Sequence, residues 1–490
     1  MLYEAHEDVN SPFMVHGKTA RVVIIFVNGD NLAEHQLAGL YQSFNAAKPC
    51  LKCLVPLSLF SVCTSEDEAN LVRMRTSLGT EKQLVSISTA ISKKDKSAES
   101  KKYGLTGVPS LAENFPQNIL QDPSHDFLEG VGEYSIKYLL DFAMTNFKLK
   151  VEQINNAISL FNDKYSDRLE KYDGLPQPTF HVQVTQGKRE ISFRSTASRT
   201  KTLLTRMGII LHLTKISNNF FATDNWKCFT LCAQICSFLF SPVISESDCS
   251  ILNSIVAQIL TLTCKLYGTC SIKPKFHHLI HYCNAIKKFG PSKHHSTLCH
   301  ERSLGQLKDF VKSQNNAIKQ IADGLKFQTL FFLFSLRPEY ELNFTSVGST
   351  KNLHELVVNI LGFCPQNLVV GLPQEVRVFK QTIHRTCLFA HNLIICLSSP
   401  SPNWMCELPS FALIHSVFAT NSPCSLRILI QRLQTVCYDT TLLGYKVIAK
   451  QEYRILNCSN LTIRQTFSVH TIGNTWVVIP YGLPYRRYVN

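Results

Sequence analysis

The decisive stretch of the sequence reads Val22-Val23-Ile24-Ile25-Phe26-Val27-Asn28-Gly29-Asp30-Asn31. Its six apolar residues, most of them β-branched or aromatic, run without a break into turn residues, a pattern that predicts a buried strand. Asp30 follows the carboxyl end of that strand, where open α/β sheets bind their ligands. Two roles are therefore open for Asp30. Turn statistics alone favour a residue that only turns the chain, whereas a ligand-binding carboxylate needs support from elsewhere in the sequence.

The composition is that of a globular protein with a basic surface. The chain has 490 residues, 45% of them hydrophobic and 18% charged, which is enough for two or three domains and argues against disorder. Its formal net charge of +14 favours a polyanionic partner such as nucleic acid. A basic surface that is merely solvated is the alternative to that interpretation.

Cysteine usage and the amino terminus indicate an intracellular protein. The 18 cysteines are scattered, and the opening MLYEAHEDVN has no apolar signal-peptide core. We therefore expect a nuclear or cytoplasmic protein that is not secreted. No apolar stretch reaches the roughly 20 residues that span a bilayer, so no membrane partner is expected. Phosphate-binding, dinucleotide and nucleophile motifs are absent, so no small-molecule cofactor is expected.

Apolar periodicity and turn signals divide the chain into five regions. Helical spacing dominates two of them, and short apolar runs between turn signals dominate the last. The regions are residues 1–63 with the decisive strand, a polar loop or linker over 64–122, a helical region over 123–272, two further helices over 273–330, and a β-rich carboxy-terminal domain over 338–490.

Two distant motifs have the spacing of metal ligands. Cys50 and Cys53 form a C-x2-C pair, which alone is half of a tetrahedral zinc site. His277 and His281 share one face of a predicted helix, whereas His278 points about a quarter-turn away. Together the four residues would complete a Cys2His2 site. Two buried cysteines and an unrelated histidine-rich helix are the alternative, and the long interval between the motifs favours it.

Several short motifs between roughly residues 20 and 330 together resemble one family. They are Asn28-Gly29-Asp30-Asn31-Leu32 with His35, Lys48-Pro49-Cys50-Leu51-Lys52-Cys53, His125-Asp126-Phe127-Leu128-Glu129-Gly130-Val131, Ser195-Thr196-Ala197-Ser198, Phe240-Ser241-Pro242-Val243-Ile244-Ser245, Lys273-Pro274-Lys275-Phe276-His277-His278-Leu279-Ile280-His281-Tyr282, and Phe289-Gly290-Pro291 followed by His300-Glu301-Arg302. In this order they resemble the CACTA-type transposases and the transposon-derived animal proteins related to them.

The resemblance implies an RNase H-like core with a DDE triad, similar in layout to the recombinase that rearranges antigen-receptor genes. Asp30 would be the second aspartate, Glu301 the final glutamate, and Cys50, Cys53, His277 and His281 the ligands of a structural zinc ion. The fold class is then α/β with a mostly α-helical insertion over 123–272, followed by the β-rich domain. In such enzymes the three carboxylates hold two Mg²⁺ or Mn²⁺ ions for phosphodiester cleavage and strand transfer.

The sequence departs from the family at the first aspartate. That residue belongs on a strand well upstream of Asp30, and the residues before Val22 are too few to hold the intervening elements. The nearby acids Glu4, Glu7 and Asp8 do not fit that strand, and Ser303 and Leu304 stand where a basic pair is expected. The sequence thus predicts an incomplete RNase H-like core and no cleavage activity, with Mg²⁺ or Mn²⁺ bound only if the triad is complete.

Three functions remain open from the sequence. The first is a transposon-derived protein that keeps the zinc site and binds DNA non-specifically, with basic residues around the histidine motif as the contact surface: Lys273, Lys275, Lys287, Lys288, Lys293 and Arg302. The second is a working DDE transposase whose first aspartate lies outside this chain. The third is a zinc-stabilised scaffold for protein interactions. A homo-oligomer is compatible with each of them.

Overall fold

The structure, a computed structural model, describes a defined set of residue ranges. These are residues 13–15, 18–20, 27–42, 46–106, 118–165, 175, 179–185, 188–193, 196–298, 319–320, 322–323, 326, 349–365, 367–370, 372–379, 381–384, 387–398, 408–421, 424–461, 466–472 and 475–479. Residues 22–26 of the predicted strand and Glu301 lie outside them. The described chain is mostly helical up to residue 298 and an antiparallel sheet after residue 349.

The amino-terminal segment pairs with a distant part of the chain. Strands β1 (Phe13–Val15) and β2 (Lys18–Ala20) form a short antiparallel hairpin. Val27 then forms a parallel bridge to Ile119: its amide donates to the carbonyl of Asn118 at 2.7 Å and its carbonyl accepts from the amide of Leu120 at 2.9 Å. Helix α1 (Asn31–Leu37) follows directly. The segment of Val27, which leads into α1, thus runs parallel to and beside the segment of Ile119.

Three helices occupy the range 64–122, for which the sequence predicted a polar loop or linker: α2 (Glu66–Val72), α3 (Ser77–Thr89) and α4 (Lys93–Tyr103). Each begins at a hydroxyl residue, Ser65, Thr76 or Ser92, whose side chain accepts a hydrogen bond from a backbone amide of the first turn. The helices carry few apolar residues, and α4 buries none of its side chains. Capping and local contacts therefore replace the hydrophobic periodicity on which the sequence interpretation relied.

The central region is a helical unit around one large core. A π-helical segment, Ser124–Gly132, continues directly into α5 (Glu133–Asn146). The other helices are α6 (Val151–Tyr165), α7 (Ala197–Leu213), α8 (Asp224–Leu239), α9 (Glu246–Tyr267), α10 (Pro274–His278) and α11 (Tyr282–Phe289), with a hairpin of β3 (Phe180–Thr185) and β4 (Lys188–Phe193) after α6. Cys50, Cys53 and the histidine-bearing segment belong to the same packed region. The predicted mainly helical character of this region is confirmed.

Helix α9 is the one described helix that is long and apolar enough to cross a membrane by length and composition. It packs against α8, and Leu252, Ile255 and Ile259 are buried in the common core. A capping box of Ser245 and Asp248 fixes its amino terminus. These contacts are those of a core helix of the helical unit.

The carboxy-terminal region is an antiparallel sheet, as the sequence predicted. Its strands are β5 (Ser349–Asn352), β6 (Glu375–Phe379), β9 (Leu393–Ser398), β10 (Ser410–Asn421), β11 (Cys424–Asp439), β12 (Gly444–Asn457), β13 (Thr466–Ile472) and β14 (Thr475–Val478); β7 (Gln381–His384) and β8 (Cys387–Ala390) form a separate hairpin, and α12 (Leu353–Leu361) follows β5. The order is β11-β12-β14-β13-β9-β10-β6-β5, and β11 also pairs with β10. Alternate residues of β9 face different cores: Ile394 and Cys396 lie in one and Ile395 in the other.

The turn between β11 and β12 inserts into the helical unit. Leu442 and Leu443 of this turn are buried in the core of the helices. The indole nitrogen of Trp226 on α8 donates to the carbonyl of Thr440 at 3.1 Å. Gly208 on α7 faces the same turn, and a β-carbon there would lie 2.9 Å from the Cα of Leu442. The two regions therefore share a close-packed contact that admits only glycine at position 208.

We expect Gly208→Ala to destabilise the protein by about 1–3 kcal/mol, because the added methyl group would force the backbone of the turn away from α7. Alanine gains roughly 1 kcal/mol over glycine in a helix, so the net loss of unfolding free energy should be up to about 2 kcal/mol. Urea unfolding measures the change. An equal or higher unfolding free energy in Gly208→Ala would show that the turn does not pack against α7 as described.

Candidate metal centre

The cysteine half of the site is a loop held by a buried arginine. Cys50 and Cys53 are fully buried, and the backbone amide of Lys52 donates to the Sγ of Cys50 at 3.3 Å. The guanidinium of Arg75 donates to the carbonyls of Cys50 at 2.9 Å, Lys48 at 2.9 Å and Tyr103 at 3.2 Å. Burial lowers the pKa of Arg75 to about 10, while the nearby cysteine thiolates act in the opposite direction. Arg75 thus brings a positive charge and three hydrogen bonds to the loop.

The histidine half of the site is a short helical segment inside the core. Helix α10 begins at Pro274, which suits the first helical position because it has no amide hydrogen to leave unpaired. A 3-10 turn, Leu279–His281, continues it and leads into α11. His277 and His281 are 0% and 2% exposed. Imidazoles buried to this extent need polar partners, and the cysteine loop provides them.

The two halves meet, as the Cys2His2 interpretation predicted and although the long interval between the motifs favoured the alternative. Nε2 of His277 lies 3.1 Å from Sγ of Cys53, and Nε2 of His281 lies 3.4 Å from Sγ of Cys50. The four ligand atoms all lie within 4.8 Å of one another. A tetrahedral site with Zn–S near 2.3 Å and Zn–N near 2.0 Å places sulfur and nitrogen about 3.5 Å apart. The cluster therefore fits a tetrahedral ion such as zinc, and this buried Cys2His2 cluster can hold a metal.

Each histidine is oriented by a different neighbour. Nδ1 of His281 lies 2.9 Å from Oε1 of Glu66, in the first turn of α2. The ring of Phe60 stacks on His277, with centroids 3.9 Å apart and planes 1° from parallel. Among the described residues, Nδ1 of His277 has no hydrogen-bond partner. A carboxylate behind a ligating histidine fixes its tautomer and raises its basicity, so Glu66 supports His281 in a way that Phe60 cannot support His277.

The ligand residues of the cluster shift one another's pKa values. Burial alone would raise the pKa of Cys50, but a hydrogen bond to Cys53 and the charges of His281 and His277 hold it well below its ordinary value. Burial would lower the pKa of His281, but the Cys50 thiolate and Glu66 raise it to about 9. The pKa of Cys53 is raised, first by its hydrogen bond to Cys50 and then by burial. A metal ion would take the place of the remaining thiol and imidazolium protons.

A second buried polar network lies behind the metal cluster. Nδ1 of His278 lies 3.0 Å from Asp126, so this ring points away from the four ligands, as its helical position predicted. Asp122 follows the Ile119 segment and accepts hydrogen bonds from the amide and hydroxyl of Thr297 at 2.9 and 2.6 Å. Burial would raise the pKa of Asp122, but its hydrogen bonds to His125 and Thr297 outweigh burial and lower it. These contacts fix residues 292–298 against the ends of the two parallel segments.

The structure places Asp30 on the surface as a helix cap. Its Oδ1 accepts a hydrogen bond from the amide of Ala33 at 2.7 Å, at the amino terminus of α1. The side-chain amide of Asn28 donates to the carbonyl of His295, which brings the segment that leads towards Glu301 beside the end of the Val27 segment. Glu301 itself lies outside the described residues. The predicted catalytic pair therefore remains a prediction.

The predicted DNA-contacting residues differ in their surroundings. Lys273, Lys287 and Lys288 are exposed, whereas Lys293 is half-buried and Arg302 lies outside the described residues. The ammonium group of Lys275 donates to the carbonyls of His125 at 2.7 Å and Glu129 at 3.2 Å. This lysine ties α10 to the π-helical segment, whereas the three exposed lysines remain as candidate contacts, with the ammonium group of Lys288 4.9 Å from the ring centroid of Phe289.

The sequence interpretation missed the residues that support the ligands. Glu66, Arg75 and Phe60 lie in the region that was predicted to be a loop or its edge, and none of them belongs to a recognisable metal-binding motif. The one local signal was Ser65 with Glu68, a capping-box pattern that marks the start of α2 and so the position of Glu66.

Comparisons of the chain with protein-family models, with curated proteins and with solved structures find no match.

We expect Glu66→Gln to lower the affinity of the cluster for Zn²⁺ by about 10–100-fold, because the carboxylate behind His281 is lost. Asp67→Asn is the matched control. This substitution removes the same charge from the same helical turn, but Asp67 is exposed. Competition with a zinc-binding dye measures both affinities. Equal losses in the two variants would assign the effect to the helix terminus and not to the hydrogen bond with His281.

Proposed function

We propose that the chain is a transposon-derived protein of the CACTA-transposase type that keeps a structural zinc centre and has lost cleavage activity. The observation that carries the proposal is the buried Cys2His2 cluster, because it joins two motifs whose residues are 224 positions apart. All four positions are occupied by protein side chains, which is typical of structural and not of catalytic zinc. Cys50, Cys53, His277 and His281 would hold the ion and so link the two parts of the chain.

The surroundings of the cluster support the same assignment. In the proposed family the zinc site connects the segment after the second aspartate with the segment before the final glutamate. Here Cys50 lies twenty residues beyond Asp30, and Glu301 lies twenty residues beyond His281. The contacts of Asn28 with His295 and of Asp122 with Thr297 draw the same two segments together. The isolated parallel bridge of Val27 with Ile119 supports the proposal, because neighbouring segments of an α/β core run parallel.

The state of Asp30 supports the loss of cleavage activity. Two divalent ions need several carboxylates to hold them about 4 Å apart. One oxygen of Asp30 is already engaged as the cap of α1, which weakens its ability to bridge two such ions. The remaining function is to fold around zinc and to bind a polyanion, for which the exposed Lys273, Lys287 and Lys288 are the proposed contacts.

Purified protein should contain one equivalent of zinc by elemental mass spectrometry, and Cys53→Ser should lose it. Cys63→Ser is the matched control, because Cys63 is also buried and near the cluster but is not one of its four ligand residues. Loss of a ligand should also destabilise the protein, since zinc binding contributes directly to folding. A parent protein purified from zinc-supplemented medium without zinc would overturn the proposed centre.

The parent protein should bind supercoiled plasmid DNA at low salt and leave it intact in Mg²⁺ or Mn²⁺, as measured by gel electrophoresis. Asp30→Asn separates the two roles of Asp30, because asparagine also caps helices but carries no charge. Nicking by the parent that disappears in Asp30→Asn would instead establish a working metal-dependent transposase core. A zinc-loaded protein that binds no DNA at low salt would favour the protein-interaction scaffold.

A further inference from the structure

The lysine-rich segment 92–102 forms a helix with five lysines, three of which share one face. Helix α4 is capped at both ends, by the side chain of Ser92 and by Gly104 in the left-handed region with φ 73°. At 100° per residue, Lys93, Lys94 and Lys101 fall within an arc of about 100°, whereas Asp95 and Glu99 lie on the opposite side. All three lysines are exposed. We name them the α4 lysine arc.

The acidic residues of α4 lie on the side opposite the arc and contact groups of the helix pair. Ser92 donates to Asp95 at 2.6 Å. Glu99 accepts from Lys102 at 3.0 Å and from Ser86 of α3 at 3.1 Å. Within the described part of the chain, no ion pair joins a lysine of the arc to a carboxylate. With five lysines against Asp95 and Glu99, α4 carries a net charge of +3, and the arc spreads three positive charges over about 12 Å of helix.

Helix α4 is mounted firmly on the body of the protein. Tyr103 packs with Leu84 and Ile87 of α3 against a core that includes Leu40 and Ile119. The carbonyl of Tyr103 accepts from Arg75, which also holds the Cys50 loop. Lys48 lies near the same end of the helix: burial, then the charges of Arg75 and Lys102, lower its pKa. Lys48 and Arg75 thus place further positive charges between α4 and the metal centre.

We propose that the α4 lysine arc is a second contact surface for nucleic acid and binds the phosphate backbone of duplex DNA. This inference rests on the polyanionic partner proposed above but concerns a different surface. Duplex DNA carries one negative charge per about 1.7 Å of axis, so the arc faces several phosphates at once. An anionic membrane is disfavoured because α4 has no apolar face to insert. An acidic protein partner would also need apolar anchors, which the arc does not offer.

The test compares two triple variants that remove equal charge. Lys93, Lys94 and Lys101 are replaced by glutamine in one variant, and the exposed Lys227, Lys351 and Lys450 of α8, β5 and β12 in the other. Glutamine preserves helix propensity, so α4 should remain folded. Binding to a short fluorescent duplex is measured by anisotropy between about 50 and 200 mM salt, where three phosphate contacts account for about a 40-fold change in affinity.

We expect the arc variant to lose about this 40-fold salt dependence, the control variant to keep it, and Lys→Arg replacement of the arc to restore it. Equal behaviour of the two glutamine variants would overturn the inference and leave binding through Lys273, Lys287 and Lys288 intact. A parent protein that does not bind the duplex would overturn both proposals. Loss of binding to phosphatidylserine vesicles, with DNA binding unchanged, would assign the arc to a membrane instead.

Discussion

The contact between the cysteine loop and the histidine segment is the constraint on which the first 298 residues depend. Cys53 and His277 are 224 residues apart, and closing a loop of this length costs chain entropy before any packing energy is gained. The four buried ligand side chains offset that cost only when all of their polar atoms have partners, because a buried polar atom without a partner is itself destabilising. A single ion can satisfy all four at once, which explains why thiols and imidazoles and not apolar side chains occupy this part of the core.

Charge balance explains the cations placed around the ligands. A divalent ion with two thiolates has no net charge, so the Glu66 carboxylate on His281 needs a compensating cation nearby. Lys52 is such a cation: burial lowers its pKa to about 8, while the charges of Glu34, Cys50 and Glu66 act in the opposite direction. Arg75 interacts with Cys50 and Cys53 and is held in the cysteine loop by three backbone carbonyls.

The ligands could be predicted from the sequence, but their supports could not. Residue type and an i, i+4 spacing are local signals that indicated the Cys50–Cys53 and His277–His281 pairs, and the family resemblance joined the two pairs into one site. The apolar runs likewise predicted the carboxy-terminal sheet. Helices α2 to α4 were missed because caps and polar contacts hold them, and these leave no apolar period. The insertion of Leu442 beside Gly208 depends on two regions meeting, so no local pattern could indicate it.

Asp30 shows why a motif residue is weak evidence for a motif's chemistry. Aspartate is among the best helix caps, so the start of α1 alone accounts for an aspartate at this position. A metal-holding role makes a further demand, because a second and a third carboxylate must converge on the same ions. The buried contacts of Asn28, Asp122 and Thr297 preserve the geometry of the strand ends without needing any ion there. The contacts of the described scaffold therefore do not depend on ions bound at Asp30.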